Sequence, residues 1–257
     1  MAKCSTLICG QRDAVLVDTF LTIDQSQTLL DWVAASARNL TAIYVTHGHA
    51  DHFYGLAPIL ERFPQARAVA TAEVVQAMHE QLASASTARW HRLFPGQIPE
   101  RLLAAEPLDG DRLTLEGYEL VVVNAGHTDT ARSTSLHVPS IGLIVAGDVV
   151  YNGIHPFLAE TDTPGRLDWI AALDRLQALR PRAVVAGHKV PERDDDPREI
   201  ARTRQYLQDF NRLDEATKTA TERYEAMLRL YPDRANPGSL WRGANAAKMR
   251  ATRHPHA

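Results

Sequence analysis

Short apolar runs recur along the chain and alternate with stretches that repeat apolar residues at helical spacing. Eight runs are rich in valine or isoleucine and have the length of strands: residues 5–9, 14–18, 42–46, 67–71, 118–123, 135–138, 142–147 and 182–187. Residues 24–39 and 163–181 instead place apolar side chains three or four positions apart, which predicts helices with one apolar face. Strands that alternate with helices predict an α/β fold.

Two regions depart from this alternation. Residues 72–106 read as a helix, a loop and a short helix inserted between strands, and the chain from 195 onward is mostly helical and charged. We therefore predict a main domain over 1–194, in which the insertion at 72–106 could form a lid. A helical extension over 195–257 is expected to pack on this domain, where it could cover the site or form a homodimer contact.

Length and charge limit the classes of function. The 257 residues suffice for one large domain or two small ones, and the chain is 45% hydrophobic and 23% charged, with a net charge of −3. That balance argues against a surface built for nucleic acid or anionic lipid. No stretch approaches the roughly 20 apolar residues that cross a bilayer. We therefore expect neither a nucleic-acid partner nor a membrane.

The two cysteines, Cys4 and Cys9, are expected in one short strand. Residues five apart along a strand face opposite sides, so a disulfide between them is not expected. Reduced thiols predict a cytoplasmic protein.

The sequence HGHADH, at 47–52, follows the apolar run at 42–46. His47 and His49 are two apart, so both imidazoles can reach one ion from an extended loop, and Asp51 and His52 would then turn toward a neighbouring position. Zinc takes histidine nitrogen and carboxylate oxygen readily. Four such residues exceed what one site with an open position needs, and they suit halves of two adjacent sites.

Three further residues of ligand type follow apolar runs elsewhere in the chain. His127 follows LVVVNAG, Asp148 follows GLIVAG, and His188 follows RAVVAG. A glycine precedes each of them, and glycine permits a sharp turn or a close backbone approach. Seven ligand-type residues at four predicted strand ends therefore indicate a metal-binding site.

With these residues the chain resembles the metallo-β-lactamase-fold hydrolase superfamily, whose signature is H-x-H-x-D-H followed by a distant His, Asp and His. The matching segments are HGHADH at 47–52, GHTD at 126–129, GD at 147–148 and GH at 187–188. The resemblance implies a four-layer αβ/βα sandwich with a helical insertion and a helical C-terminal extension. Fewer residues precede the run at 14–18 than the N-terminal strands of that family usually occupy, so we expect either a trimmed sheet or a shortened chain.

The resemblance also implies two divalent metal ions, with zinc expected and iron or manganese as alternatives. One ion would be held by His47, His49 and His127, the other by Asp51, His52 and His188, with Asp148 as a bridge. An aspartate bridge makes the chain more similar to glyoxalase II and to acyl-homoserine lactonases than to the β-lactamases of this fold.

The implied chemistry is hydrolysis of a small-molecule ester, lactone or thioester by a hydroxide shared between the ions. Asp51 would orient this nucleophile and move a proton. Tyr151 stands three residues after Asp148, an offset at which acyl-homoserine lactonases carry a tyrosine that assists the substrate carbonyl. The alternative for Tyr151 is packing beside the site.

Other activities stay open at this stage. They are β-lactamase or other amide hydrolysis, a persulfide dioxygenase with one iron, a metal-dependent phosphodiesterase or nuclease, and metal binding without catalysis. The net charge of −3 argues against the nuclease.

The roles of several other residues are less constrained. His155 could line the substrate pocket or pack in a turn, and Lys189 could meet a substrate carboxylate or remain solvated. His79 and His91 are expected at the surface. Within the insertion, Met78, Trp90, Leu93 and Phe94 have spacings that could form an apolar face, and His254 and His256 are expected in a frayed tail.

Overall fold

The computed structural model describes residues 2–253, so His254 and His256 lie outside the described residues. The strands are β1 (Thr6–Cys9), β2 (Asp13–Val17), β3 (Asn39–Tyr44), β4 (Arg67–Ala70), β5 (Glu106–Pro107), β6 (Arg112–Leu115), β7 (Tyr118–Gly126), β8 (Ser133–Val138), β9 (Leu143–Asn152) and β10 (Ala183–Lys189). The helices are α1 (Ile23–Ala35), α2 (Ala50–Phe53), α3 (Leu56–Arg62), α4 (Ala72–Ala83), α5 (Ala85–Leu93), α6 (Thr163–Ala178), α7 (Arg198–Ala216), α8 (Ala220–Leu230) and α9 (Pro237–Arg253).

The described residues divide into two compact units. The N-terminal unit comprises residues 3–123 and 134–141, and the C-terminal unit comprises residue 2, residues 124–133 and the described chain from 142 onward. The domain boundary expected at residue 194 stays a prediction.

The first sheet has the strand order β1–β2–β3–β4–β5. Strand β1 is antiparallel to β2, whereas β2, β3, β4 and β5 pair in parallel. Parallel strands have their carboxyl ends at one edge of a sheet, and that edge is where α/β proteins commonly bind ligands. The segment HGHADH leaves β3 at this edge, and Asp18 leaves β2 there.

One apolar core stabilises the N-terminal unit. Leu29, Leu30 and Val33 of α1 pack with buried residues such as Ile43 of β3 and Met78 of α4. Burial of apolar side chains of this size contributes roughly 1.5–3 kcal/mol each. This core therefore fixes the sheet edge from which the histidines extend.

The second sheet has the strand order β10–β9–β8–β7–β6. Strands β6 and β7 are antiparallel, whereas β9 and β10 are parallel, with irregular register on both sides of Ala186. In the C-terminal unit α6 and α7 pack on β9, and the indole Nε1–H of Trp169 donates to the carbonyl of Val149 at 2.8 Å.

Local sequence accounts for the ends of the predicted helices. Helix α1 begins with a capping box between Thr22 and Gln25 and ends at Ala35, before the predicted end at 39. Helix α6 is capped by Asp162, whose side chain accepts from the Gly165 N–H at 2.9 Å, and a proline occupies its first turn.

The helices expected beyond 195 are confirmed. In the insertion, however, α5 follows α4 directly and residues 94–105 contain no helix, so the expected order of helix, loop and short helix is not observed. Helices α4 and α5 occupy the insertion at 72–106, and α7, α8 and α9 occupy the chain beyond 195. None of the described helices combines the length and apolar character that crossing a membrane requires.

Two strands extend further than the sequence indicated. Asp148 and His188 were expected to follow strands, but β9 continues to Asn152 and β10 to Lys189, so both residues lie within strands. The reason is local backbone geometry: Gly147 has a positive φ of 53° and the register shifts around Ala186. Such irregularities turn a side chain without ending the strand.

The prediction for the cysteines is half correct. Cys9 ends β1, whereas Cys4 precedes that strand, and the two are not joined by a disulfide.

Candidate functional site

His47 and His49 extend from the carboxyl end of β3 with their imidazoles side by side. His47 is buried and His49 is half-buried. Nε2 of His47 lies 3.1 Å from Nδ1 of His49. The two rings meet edge to face, with centroids 4.8 Å apart. This placement of the two imidazoles is therefore compatible with the prediction that both histidines can reach one ion.

Asp51 and His52 lie in the short helix α2, for which His49 is the N-cap residue, so the chain turns after His49 as expected. His52 is fully buried, and its ring centroid is 3.9 Å from that of His47. Within the N-terminal unit, the three histidines are thus neighbours, and ligand atoms of Asp51 and His52 lie within 4.8 Å of each other.

The side chain of Asp18 contacts this group of residues. Its Oδ2 lies 2.7 Å from Nδ1 of His52, and its Oδ1 accepts from the Thr46 N–H at 2.8 Å. The Thr46 hydroxyl also lies 3.0 Å from Nδ1 of His47. When Nδ1 of a histidine is held by a carboxylate, Nε2 is the nitrogen that can bind a metal.

The charge of Asp18 is stabilised by its neighbours. Burial alone would raise the pKa of Asp18, but the attraction of His52 and Lys3 and the hydrogen bond from His52 lower the pKa to about 2. Asp18 is therefore an anion at neutral pH and orients His52.

In the C-terminal unit, Asp148 accepts from Tyr151 and lies beside His188. The Tyr151 hydroxyl donates to Oδ2 of Asp148 at 2.6 Å, and Nε2 of His188 is 3.2 Å from the same oxygen. The rings of Tyr151 and His188 stack with an interplanar angle of 17°. Nδ1 of His188 donates to the carbonyl of Ala2 at 2.8 Å, which leaves Nε2 as the nitrogen directed at Asp148.

Tyr151 is a neutral hydrogen-bond donor in this environment. Burial raises the pKa of Tyr151 well above its usual value, and the charges of Asp148 and Asp129 together with the hydrogen bond to Asp148 raise it further. The phenol therefore keeps its proton throughout the neutral range.

The imidazole of His127 contacts the backbone of Glu160. Its Nε2 lies 3.2 Å from the carbonyl oxygen of Glu160, and its Nδ1 lies over Gly165, where an added Cβ would approach to 3.1 Å. If Nε2 donates to that carbonyl, Nδ1 carries the lone pair that could bind a metal.

Asp129, two residues further along the chain, lies near Asp148. Ligand atoms of the two carboxylates are within 4.8 Å of one another, and both side chains are buried.

The donor chemistry suits a divalent metal ion. Histidine and carboxylate side chains of the kind that could hold such an ion occur in both units. Gly187 provides a second indication, because a Cβ at that position would lie 2.2 Å from Oδ1 of Asp148. The space around the Asp148 carboxylate therefore depends on glycine at 187.

Asp18, Thr46 and Asp129 are contacts of the site that the sequence patterns alone do not identify. Asp18 follows an apolar run, as the predicted ligands do, and this was the available signal for it. Asp129 stands in the segment GHTD, which carries the resemblance, but no role was assigned to it.

The remaining candidate residues divide between packing and surface. His155 is buried, with Nδ1 2.9 Å from the hydroxyl of Tyr206, and Lys189 donates to Asp195 at 2.7 Å. His79 and His91 are exposed, as expected.

The apolar face expected in the insertion forms only in part. Met78 is buried and Trp90 is half-buried, whereas Leu93 and Phe94 are exposed.

Comparisons with known proteins agree with the signature. A family model described as the metallo-beta-lactamase superfamily matches residues 4–188. A hydroxyacylglutathione hydrolase of Parasynechococcus marenigrum (strain WH8102) is 31% identical over 164 residues, which cover 60% of this chain and 54% of that protein. One of Synechococcus sp. (strain CC9902) is 31% identical over 186 residues, covering 68% and 61%. The chain thus spans between about half and three-fifths of these relatives.

Solved structures confirm the predicted fold class. A metallo-beta-lactamase family protein from Thermus thermophilus has a TM-score of 0.68 and 24% identity, covering 98% of this chain and 88% of that one. A metallo-beta-lactamase from Pontibacter korlensis has a TM-score of 0.61 and 19% identity, covering 80% and 87%.

Proposed function

Because the chain belongs to the metallo-β-lactamase superfamily, we propose that it is a metal-dependent hydrolase of a small-molecule ester, lactone or thioester. The observation that carries this proposal is the environment of Asp148. This buried carboxylate accepts from the Tyr151 hydroxyl at 2.6 Å and lies 3.2 Å from Nε2 of His188. A carboxylate, an imidazole and a neutral phenol combine metal ligation with a donor for a substrate oxygen.

The proposed ligands are those of the family signature. A bound divalent ion lowers the pKa of water and polarises a carbonyl oxygen. We propose two ions, zinc before iron or manganese, because imidazole and carboxylate together suit zinc. The residues that would hold them are His47, His49, Asp51, His52, His127, Asp148 and His188.

Asp51 and Tyr151 are the proposed catalytic residues. Asp51 would accept and transfer a proton of the attacking water, since it lies in the first turn of α2 with its carboxylate near a ligand atom of His52. Tyr151 would donate a hydrogen bond to the substrate carbonyl oxygen, and its raised pKa favours this neutral role.

Two substrate classes are supported by different observations. Relatives with 31% identity are named hydroxyacylglutathione hydrolases, which favours a thioester. The buried Tyr151 beside Asp148 favours a lactone, because acyl-homoserine lactonases carry a tyrosine at this offset. The net charge of −3 argues against a nucleic-acid substrate.

The proposal is tested by metal analysis and a substrate panel. Protein reconstituted with Zn²⁺, Mn²⁺ or Fe²⁺ is assayed on a hydroxyacyl-glutathione thioester, an acyl-homoserine lactone, a β-lactam and a phosphodiester. Oxygen uptake with a glutathione persulfide tests the dioxygenase alternative. We expect turnover of the thioester or the lactone that is lost on chelation and restored by metal.

Matched variants make the test specific. His47→Ala and Asp148→Asn should each lower the rate by more than the roughly 10- to 100-fold that loss of an outer-shell partner costs. The controls are His79→Ala and Asp168→Asn, whose side chains are exposed. Full activity in both ligand variants, or oxygen uptake without hydrolysis, contradicts the proposal.

A homodimer through the C-terminal helices and a cytoplasmic location stay predictions.

A further inference from the structure

Asp129 stands beside a predicted ligand, yet the family signature gives it no role. Its carboxylate lies within 4.8 Å of that of Asp148, at the distance at which two carboxylates can hold one ion. Both side chains are buried, and both belong to the C-terminal unit.

The immediate contacts of the two carboxylates include neutral donors. The hydroxyl of Thr128 lies 2.9 Å from Oδ1 of Asp129, and the hydroxyl of Tyr151 donates to Asp148 at 2.6 Å. Hydroxyl groups stabilise a carboxylate but do not remove the repulsion between two negative charges. At close range in a buried environment this repulsion is offset by a cation or by a shared proton.

Two further features are compatible with a bound cation. His188 directs Nε2 at Asp148 from 3.2 Å, because its Nδ1 donates to the carbonyl of Ala2. Gly187 leaves room at Oδ1 of Asp148, where a Cβ would lie at 2.2 Å. Asp148 therefore has a second carboxylate, an imidazole nitrogen and open space beside it, all within one unit.

We propose that Asp129 is an additional metal ligand that acts with Asp148, beyond the seven residues of the signature. This inference rests on the proposed function. An extra carboxylate makes the donor set richer in oxygen, which favours Mn²⁺ relative to a set dominated by imidazole. Asp129 thus influences which divalent ion the protein retains.

The decisive variant is Asp129→Asn, which removes the charge and keeps an oxygen that can accept from Thr128. We expect Mn²⁺ affinity, measured by chelator competition, to fall about 10- to 100-fold, on the scale of losing a strong partner of a metal site. Zn²⁺ affinity should fall less, because imidazole ligands remain. In the chelator-treated protein, Asp129→Asn should raise the Tm by about 2–4 °C, because the repulsion between the carboxylates of Asp129 and Asp148 is lost.

Two more variants separate a ligand from a structural residue. Thr128→Val removes the hydroxyl contact and keeps the carboxylate, so it should lower Mn²⁺ affinity less than Asp129→Asn does. Asp168→Asn, on the exposed face of α6, is the matched control and should change neither affinity nor Tm. If Asp129 serves only its contact with Thr128, both Asp129→Asn and Thr128→Val lower the Tm of the chelated protein, and the inference is wrong.

The outcomes also separate this inference from the proposed function. A wild-type protein that binds Mn²⁺ or Zn²⁺ and hydrolyses a thioester or lactone, with an Asp129→Asn variant of unchanged affinity for both ions, overturns only the role of Asp129. A wild-type protein that binds no divalent ion overturns both.

Discussion

Nδ1 of His52 lies 2.7 Å from Oδ2 of Asp18, although 34 residues separate them in the sequence. The same aspartate accepts from the Thr46 N–H, so one buried carboxylate joins the end of β2 to the segment that follows β3. Asp18 has a positive φ of 61°, a conformation that aspartate and asparagine adopt more readily than most residues. The position of His52 therefore depends on a residue outside the ligand signature.

Asp18→Asn should weaken metal binding while the fold is kept. Asparagine tolerates the positive φ, so the backbone is not strained, but the charge that orients His52 is lost. We expect metal affinity to fall by about 10- to 100-fold, as for other carboxylates behind a metal-binding histidine. Chelator competition measures this change, and circular dichroism checks the fold. Asp31→Asn, at an exposed position of α1, is the matched control. Unchanged affinity in folded Asp18→Asn contradicts the assigned role.

Gly187→Ala should disturb Asp148 directly. The new Cβ would lie 2.2 Å from Oδ1 of Asp148 and 2.7 Å from the backbone carbon of Gly147, so the carboxylate or the strand must move. We expect a loss of stability of about 1–3 kcal/mol from overpacking and a reduced metal content. Urea unfolding and elemental analysis measure the two effects.

Gly238→Ala is the control for that substitution, because the nearest atom to its Cβ would be 3.9 Å away. It should leave both quantities unchanged within about 0.5 kcal/mol. Equal behaviour of the two alanine variants would show that Gly187 is not needed to place Asp148.

Tyr151→Phe should lower turnover more than it lowers metal content. The substitution removes the donor to Asp148, and a hydrogen bond to a charged group contributes roughly 1.5–3 kcal/mol. As a proposed donor to the substrate carbonyl, Tyr151 should affect kcat more than KM. Steady-state kinetics on the preferred substrate, with elemental analysis of the same samples, tests this.

Tyr54→Phe is the comparison for Tyr151→Phe. The Tyr54 hydroxyl is 2.9 Å from that of Thr87, and its ring is buried in the N-terminal unit. It should lose stability without a specific loss of kcat. A Tyr151→Phe enzyme with wild-type kcat would make Tyr151 a packing residue, which was the alternative interpretation.

The sequence could indicate candidate residues of ligand type, because HGHADH concentrates them and each distant candidate follows an apolar run and a glycine. Their binding of a metal stays a prediction. The sequence could also predict the α/β alternation, because the apolar patterns of strands and helices each lie within one short stretch of the chain. Asp18 could not be assigned in this way, because its partnership with His52 arises only when β2 and β3 pair.

The ends of β9 and β10 could not be predicted from the sequence for a different reason. Composition favours ending both runs at glycine, but Gly147 and the register shift near Ala186 bend the strands without ending them. Charged residues of α6 and α8 are a third case. Arg166 and Arg223 are residues of a type usually found at the solvated face of a helix, yet both are buried. Phe210 and Asp214 provide their partners, and only the folded unit brings these residues together.

His155 should make stability depend on pH. Burial, together with the charge of Arg234, lowers the pKa of His155 from 6.5 to about 4. The unfolded chain therefore binds a proton between pH 6.5 and 4 that the folded chain does not. This contribution to stability is fully present above pH 6.5 and is lost as the pH falls toward 4, by about 1.4 kcal/mol per pH unit.

Urea unfolding of wild type and His155→Asn from pH 7.5 to 4.5, in the presence of chelator, measures that slope. The variant should be less stable at pH 7.5, because the contact with Tyr206 changes, and its stability should fall less steeply with acidity. His79→Asn, at an exposed position of α4, should keep the wild-type slope. Parallel curves for wild type and His155→Asn would show that His155 titrates normally in the fold.

Asp214 of α7 should be a sensitive position for stability, because three cations share its carboxylate. It accepts from Arg166 at 3.1 Å, pairs with Arg223, and lies 3.3 Å from Nζ of Lys248. The guanidinium carbons of Arg166 and Arg223 lie 5.1 and 5.0 Å from the ring centre of Phe210. Burial lowers the pKa of both arginines to about 10, so both stay charged at neutral pH.

Asp214→Asn leaves these cations without their shared anion, and breaking a buried pair in this way costs about 3–5 kcal/mol. Urea unfolding should show that loss, whereas Asp174→Asn, which breaks a surface pair with Arg204 at 2.7 Å, should cost at most about 1 kcal/mol. Adding Arg223→Met to Asp214→Asn should recover part of the loss, because it removes one of the stranded charges. A double variant less stable than the sum of its single variants would show that the two residues do not act as a pair.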